Sequence, residues 1–150
     1  MTGSDRPRRW PAYVVALMML GYAAGKAVLA MQARLGFPGG PPVSAAETEG
    51  YFLDPALAQW SAAATGVLGA CIALATVTAV GRRVPRVLMS LMLAVLLLAI
   101  LGGGGIMVLD GFIGIGVGWQ WYHGVVGLIA IVLAAEMFRS YVVRSRRAAS

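Results

Sequence analysis

The chain reads as an all-α membrane protein, a four-helix transmembrane bundle with both termini on the cytoplasmic side, and three observations predict it. Four apolar stretches, about 11–32, 57–80, 87–108 and 123–142, are each long enough to cross a bilayer, since roughly 30 Å of hydrocarbon takes about 20 helical residues. Hydrophobic residues make up 59% of the sequence and charged ones 12%, with a mean hydropathy of +0.79, outside the range of ordinary soluble domains. The basic residues are sorted by connection: Arg6, Arg8 and Arg9 precede the first span, Arg82, Arg83 and Arg86 fill the second connection, and Arg139, Arg144, Arg146 and Arg147 follow the fourth. The opposite side holds Arg34, Glu47, Glu49, Asp54 and Asp110. Lys and Arg flanking spans favour the cytoplasmic side, so both termini are expected inside a plasma membrane of the bacterial inner-membrane type. A soluble bundle would need a polar stripe on each helix, and in 87–100 only Ser90 interrupts the apolar run. The net charge of +6 belongs to topology and anionic lipid rather than to nucleic acid.

The first span follows a basic start, as a secretory signal does, and Arg8-Arg9 resembles a twin-arginine signal. The apolar run is longer than a signal core, however, and Lys26 occupies the region where cleavage would fall, so retention as a span is expected. Lys26 itself lies about 22 Å along the helix from Pro11, or about 8 Å below the outer boundary. Its stem reaches the interface by snorkelling; if it faces the bundle instead it needs a counter-ion, with Asp110 the first carboxylate to consider and Asp54 the second. Tyr22 lies one turn earlier.

The outer connection, 33–56, divides into a breaker and a short helix. Gly36-Phe37-Pro38-Gly39-Gly40-Pro41-Pro42 cannot continue a helix. Ser44-Ala-Ala-Glu47 has capping-box spacing, predicting a surface helix over 45–52. Asp54-Pro55 then supplies a capping acceptor and a first-turn proline for the second span. Tyr51, Phe52 and Trp60 suit an interfacial aromatic belt.

Helices in lipid pack by close backbone approach, so small residues at helical spacing mark contact faces. Ala62, Gly66, Gly69, Ala73 and Thr76 form such a stripe in the second span; Gly21 and Gly25 pair in the first, and His123, Gly127, Ala130 and Ala134 share a face of the fourth. The lone Cys71 reads as a small packing residue. In the third span Gly102, Gly103, Gly104 and Gly105 interrupt a helix-favouring run at the depth of Lys26. They serve either close helix packing or a break that opens carbonyls to a cavity. The glycine-punctuated run 110–118 suits an interfacial or re-entrant loop. Trp119-Gln120-Trp121-Tyr122-His123 then leads, as an aromatic anchor, into the fourth span.

Glu136 lies near the inner boundary, roughly 13 Å in depth from Lys26, so an inner ion pair with Arg139 is expected instead. His123 is the single histidine, no cluster has metal-ligand spacing, and no phosphate loop or nucleophile–base pair stands out, so no cofactor, metal or catalytic residue is assigned.

Gly21-Tyr22-Ala23-Ala24-Gly25-Lys26 and Pro38-Gly39-Gly40-Pro41-Pro42 resemble a pattern in small bacterial integral membrane proteins of four spans and unassigned function. The similarity covers the first third of the chain and implies the four-span fold, with no activity. After the lysine this chain reads Ala27-Val28-Leu29-Ala30, where the pattern has a bulky aromatic and a glycine pair.

The functional expectation is a non-enzymatic membrane component binding a partner protein, a lipid or a small anion at an outward-facing polar pocket of Tyr22, Lys26, Gly102–Gly105, Asp110 and His123. Partners expected are the bilayer, anionic lipid, and a second copy or another membrane protein. One alternative is a small oligomeric transporter or proton-coupled exchanger, which a two-half repeat would favour; the unequal connections show none. Another is a membrane redox or lipid-modifying enzyme, which would purify with a cofactor.

Overall fold

A computed structural model describes residues 8–147, so Arg6 of the basic N-terminal group lies outside the described residues. Four long helices form the bundle: α1 (Trp10–Met31), α3 (Pro55–Ala75), α4 (Arg86–Ile113) and α5 (Trp121–Arg147), with the short α2 (Ala45–Glu49) between the first two. All four long helices have the length and hydropathy of membrane spans. Their outward faces carry exposed Leu17, Leu68, Leu91, Val95, Leu98 and Val132. So large an apolar surface is at home only in lipid; this is a multi-pass membrane protein.

The helices associate as two antiparallel pairs, α1 with α3 and α4 with α5, joined chiefly by α1 against α5. Both pair-closing loops, 32–54 and 114–120, therefore lie at one end, here the loop end. At the other, the terminal end, Arg144 of α5 donates to the carbonyls of Arg8 and Thr76 (3.2 Å each), fastening the entrance to α1 and the exit of α3. A cation at the last carbonyls of a helix also suits its dipole.

Local chemistry sets the ends. The Pro11 ring sits in the first turn of α1, where a missing N–H is harmless. Asp54 accepts from the Leu57 amide at 3.0 Å and starts α3. That helix ends at Ala75, whereas the apolar stretch runs on to residue 80. The chain tightens into a 3-10 turn over Val80–Arg83, and Gly81 lies so close to the Ala75 carbonyl that a side chain would collide with it. In contrast, α4 runs beyond residue 108 to Ile113 and stops at Gly114, whose φ of +77° is left-handed.

The apolar core fills the half of the bundle nearer the terminal end. Ala12, Val15 and Ala16 of α1 meet Ala70 and Ala73 of α3, Met89, Leu93, Leu96 and Ile100 of α4, and Leu133, Ala134 and Met137 of α5. Small residues permit the approach there and above it. Gly66 lies against Ala23, Tyr22 and the Met19 carbonyl, and a side chain at Gly127 would press on the Gly104 carbonyl, 2.6 Å from its Cβ. Toward the loop end aliphatic packing gives way to polar and aromatic groups.

Candidate functional site

Gly36 is the centre of that polar region. Its φ of +146°, which strongly favours glycine, belongs to the turn that follows α1. Its carbonyl accepts from Lys26 Nζ of α1 at 2.6 Å and from Gln59 Nε2 of α3 at 3.1 Å. Two donors, one for each lone pair, complete this oxygen. One loop carbonyl thus ties together a helix pair that meets below it at Gly66 and Gly69 of α3 against Met19, Tyr22 and Ala23 of α1.

The Lys26 ammonium is half-buried, 5.5 Å from the Tyr22 ring centroid and 5.7 Å from that of Phe37. These ring faces offset part of its desolvation. Among the described residues no carboxylate forms an ion pair with it, and Gly36 O is its one hydrogen-bond acceptor. Gln59 is only 3% exposed, and its Oε1 is buried without a donor. The Gly36 carbonyl dictates the amide orientation, because the flipped amide would set oxygen against oxygen.

Lys26 and Gln59 line an open cavity of about 570 Å³. The connection to α2 supplies Leu35, Gly36 and Val43, α2 and its exit supply Glu47, Gly50 and Tyr51, and α3 supplies Ala58 and Ala62. Glu47 is held by the capping box of α2. Its Oε2 accepts from the Ser44 amide at 2.9 Å and the Ser44 hydroxyl at 2.7 Å, while Ser44 Oγ accepts from the Glu47 amide at 3.2 Å. These bonds, the hydroxyl's first, keep its carboxyl below the usual glutamate range.

The other residues singled out in the sequence divide between this region and the neighbouring pair. Tyr22 stands beside Lys26 and packs on Phe37, the ring centroids 5.4 Å apart and the planes tilted by 44°. Phe37 meets Trp119 edge-on at 5.2 Å, and Trp119 meets His123 at 5.0 Å. His123 Nδ1 accepts from the Gln120 amide at 3.1 Å, so Nε2 carries the proton and donates to the Gly39 carbonyl at 2.8 Å. Asp110, 4% exposed, accepts from the Val117 amide at 3.1 Å and the Trp119 amide at 2.6 Å, holding the second loop against the end of α4. It anchors Trp119 and does not reach Lys26.

The glycine run is continuous helix. Gly104 is buried against Gly127 and Ile131 of α5, whereas a Cβ at Gly102, Gly103 or Gly105 would meet nothing within 4 Å. None of the four lines the Lys26 cavity. At the opposite end Glu136 takes a bidentate bond from Arg139, at 2.8 and 3.0 Å, and a third from Ser140.

Gln59, Gly36, Phe37 and Trp119 complete the arrangement, although sequence reasoning did not choose them as site residues. Gln59 had one legible signal, being the one amide side chain in the apolar stretch 55–75. No group of three or more metal-ligating side chains occurs among the described residues. Comparison with protein-family models, curated proteins and solved structures finds no match.

Proposed function

We propose that the protein is a non-enzymatic membrane component that binds an anionic group, a lipid headgroup or a small anion, at the loop-end cavity beside Lys26. One observation carries the reading: a half-buried ammonium within a span, on a cavity wall, bonded to a single carbonyl and paired with no carboxylate among the described residues. An ammonium has three donors, and in a low-dielectric setting the unmet ones attract an anion strongly. Glu47 lines the same cavity, but Ser44 occupies its carboxylate. Tyr22 and Phe37 hold the lysine in place, while Asp110 and His123 act at one remove by fixing Trp119 and Gly39 against that loop.

The arginines at the terminal end orient the bundle with both termini in the cytoplasm, so the cavity faces outward at headgroup level. The test is native mass spectrometry from mild detergent after incubation with phosphatidylglycerol. Lys26→Met is expected to lose the bound lipid while keeping helical content; undiminished retention would overturn the reading.

A further inference from the structure

We infer that the ligand of this cavity carries a hydrogen-bond donor next to its anionic oxygen: a phosphate headgroup bearing an ammonium or hydroxyl, as in phosphoethanolamine or phosphoglycerol. The inference rests on the anion-binding reading above and adds the second half of the ligand. Its basis is Gln59, which lines the cavity, is 3% exposed, and has an Oε1 with no donor.

An acceptor buried without a partner is costly, and Gln59 Oε1 has no exposure of its own beside the open cavity. Nothing among the described residues relieves it. The Gly36 carbonyl is an acceptor and holds the amide by its other end. The ammonium of Lys26 donates to that same carbonyl and makes no hydrogen bond to Gln59 Oε1. The missing partner is therefore an N–H or O–H brought from outside, met by a small shift of the Gln59 amide toward the cavity it lines.

Charge supports the same class. The wall bears one cation, Lys26, and one carboxylate, Glu47. A bare anion would satisfy Lys26 but stand against Glu47 and leave Gln59 Oε1 unmet. A headgroup with phosphate and ammonium, or with phosphate and the two hydroxyls of a glycerol, offers a partner to all three. Ala58 and Ala62 present only methyl groups on the α3 side of the cavity, leaving room for the glycerol end of a lipid whose chains lie along the apolar helix faces. A free phosphate ester of the same chemistry would make the same polar contacts.

Native mass spectrometry on the full chain, with phosphatidylethanolamine and phosphatidylcholine of identical acyl chains, reads the donor directly. Both headgroups are phosphodiesters with a cationic nitrogen, but the trimethylated nitrogen cannot donate. The intact protein is expected to prefer phosphatidylethanolamine by roughly fivefold or more, the effect of one unmet buried acceptor. Gln59→Leu should equalise the two lipids. Lys26-dependent binding of both lipids should remain in Gln59→Leu, which shows that the variant still folds and binds.

Equal binding by the intact protein would overturn the inference, as would a preference that survives in Gln59→Leu, since shape alone would then discriminate. Either result leaves the anion site standing if Lys26→Met still abolishes binding of both lipids. If Lys26→Met changes neither, the anion-binding reading itself fails. Competition with free phosphoethanolamine identifies the source: displacement at concentrations comparable to the lipid's points to a soluble phosphate ester, and lipid retention points to the headgroup, each supporting the shared chemistry.

Discussion

Single glycines in this chain differ by what stands in front of them, and sequence alone cannot tell them apart. Four consecutive glycines in α4 look equivalent on paper, yet only Gly104 is buried, facing Gly127 of α5. Gly127→Ala would press its methyl on the Gly104 carbonyl and on Met107 Cβ, 3.1 Å away. Overpacking of this kind destabilises by about 1–3 kcal/mol. Gly103→Ala meets open space and removes the conformational freedom that makes glycine a poor helix former, a gain of up to about 1 kcal/mol. The expected outcome is a lower thermal midpoint in detergent for Gly127→Ala and an unchanged or higher one for Gly103→Ala. Equal shifts would mean that the two helices do not meet at this face. Lys26 teaches the same lesson: its depth follows from counting residues, but depth does not reveal that its partner is the Gly36 carbonyl.

The elements were largely legible because their ends are written locally. Ser44 and Asp54 cap α2 and α3 through side-chain bonds to amides three residues on, which spacing alone announces. Hydropathy misjudged the far ends of α3, α4 and α5, the last of which runs to Arg147 and not to 142, since it measures preference for lipid and not helical geometry. The chain turns after Ala75 while still apolar, and α4 continues through glycine-rich sequence because α5 packs against it. The cap of α2 has a consequence for pH. The Glu47 carboxyl is more acidic when folded than when unfolded, so its contribution is present above the ordinary glutamate range and is lost as pH falls through the lowered value. NMR shifts of the α2 amides should therefore titrate with a midpoint below that of an ordinary glutamate, and Ser44→Ala should raise that midpoint. A wild-type midpoint at or above the ordinary value would show that the capping box does not form in solution. Glu47 and Tyr51 belong to the cavity wall, so the same titration reports on the shape of the site.

At the scale of the molecule, the bundle is two helix pairs held at one end by Arg144 and at the other by the loop that crosses between them. That loop is fastened to the first pair at Gly36 and to the second at Gly39, with Phe37 between Tyr22 and Trp119. The proposed orientation, with both termini inside, rests on an even number of spans and on the arginines at the terminal end. Cysteines introduced singly at Ser44 and Ser145, in a Cys71→Ala background because Cys71 is exposed, should react with an impermeant maleimide from opposite faces of intact cells. Ser44 is expected to label from outside. Labelling of both positions from one side would refute the four-span topology.

Hydropathy and the cap residues were enough to establish residence in a bilayer, the number of spans and the place where α2 and α3 begin. These properties depend on neighbours a few residues apart and on a rise of about 1.5 Å per helical residue, which anyone can count. Packing alone brought the residues of the candidate site together. Lys26, Gly36 and Gln59 converge on one carbonyl from a helix, a loop and a second helix, and the rotation of each helix about its axis follows from which glycines and alanines interlock below. Rotation is set by neighbours distant in sequence, so the unmet oxygen of Gln59 became visible only once the helices were in contact.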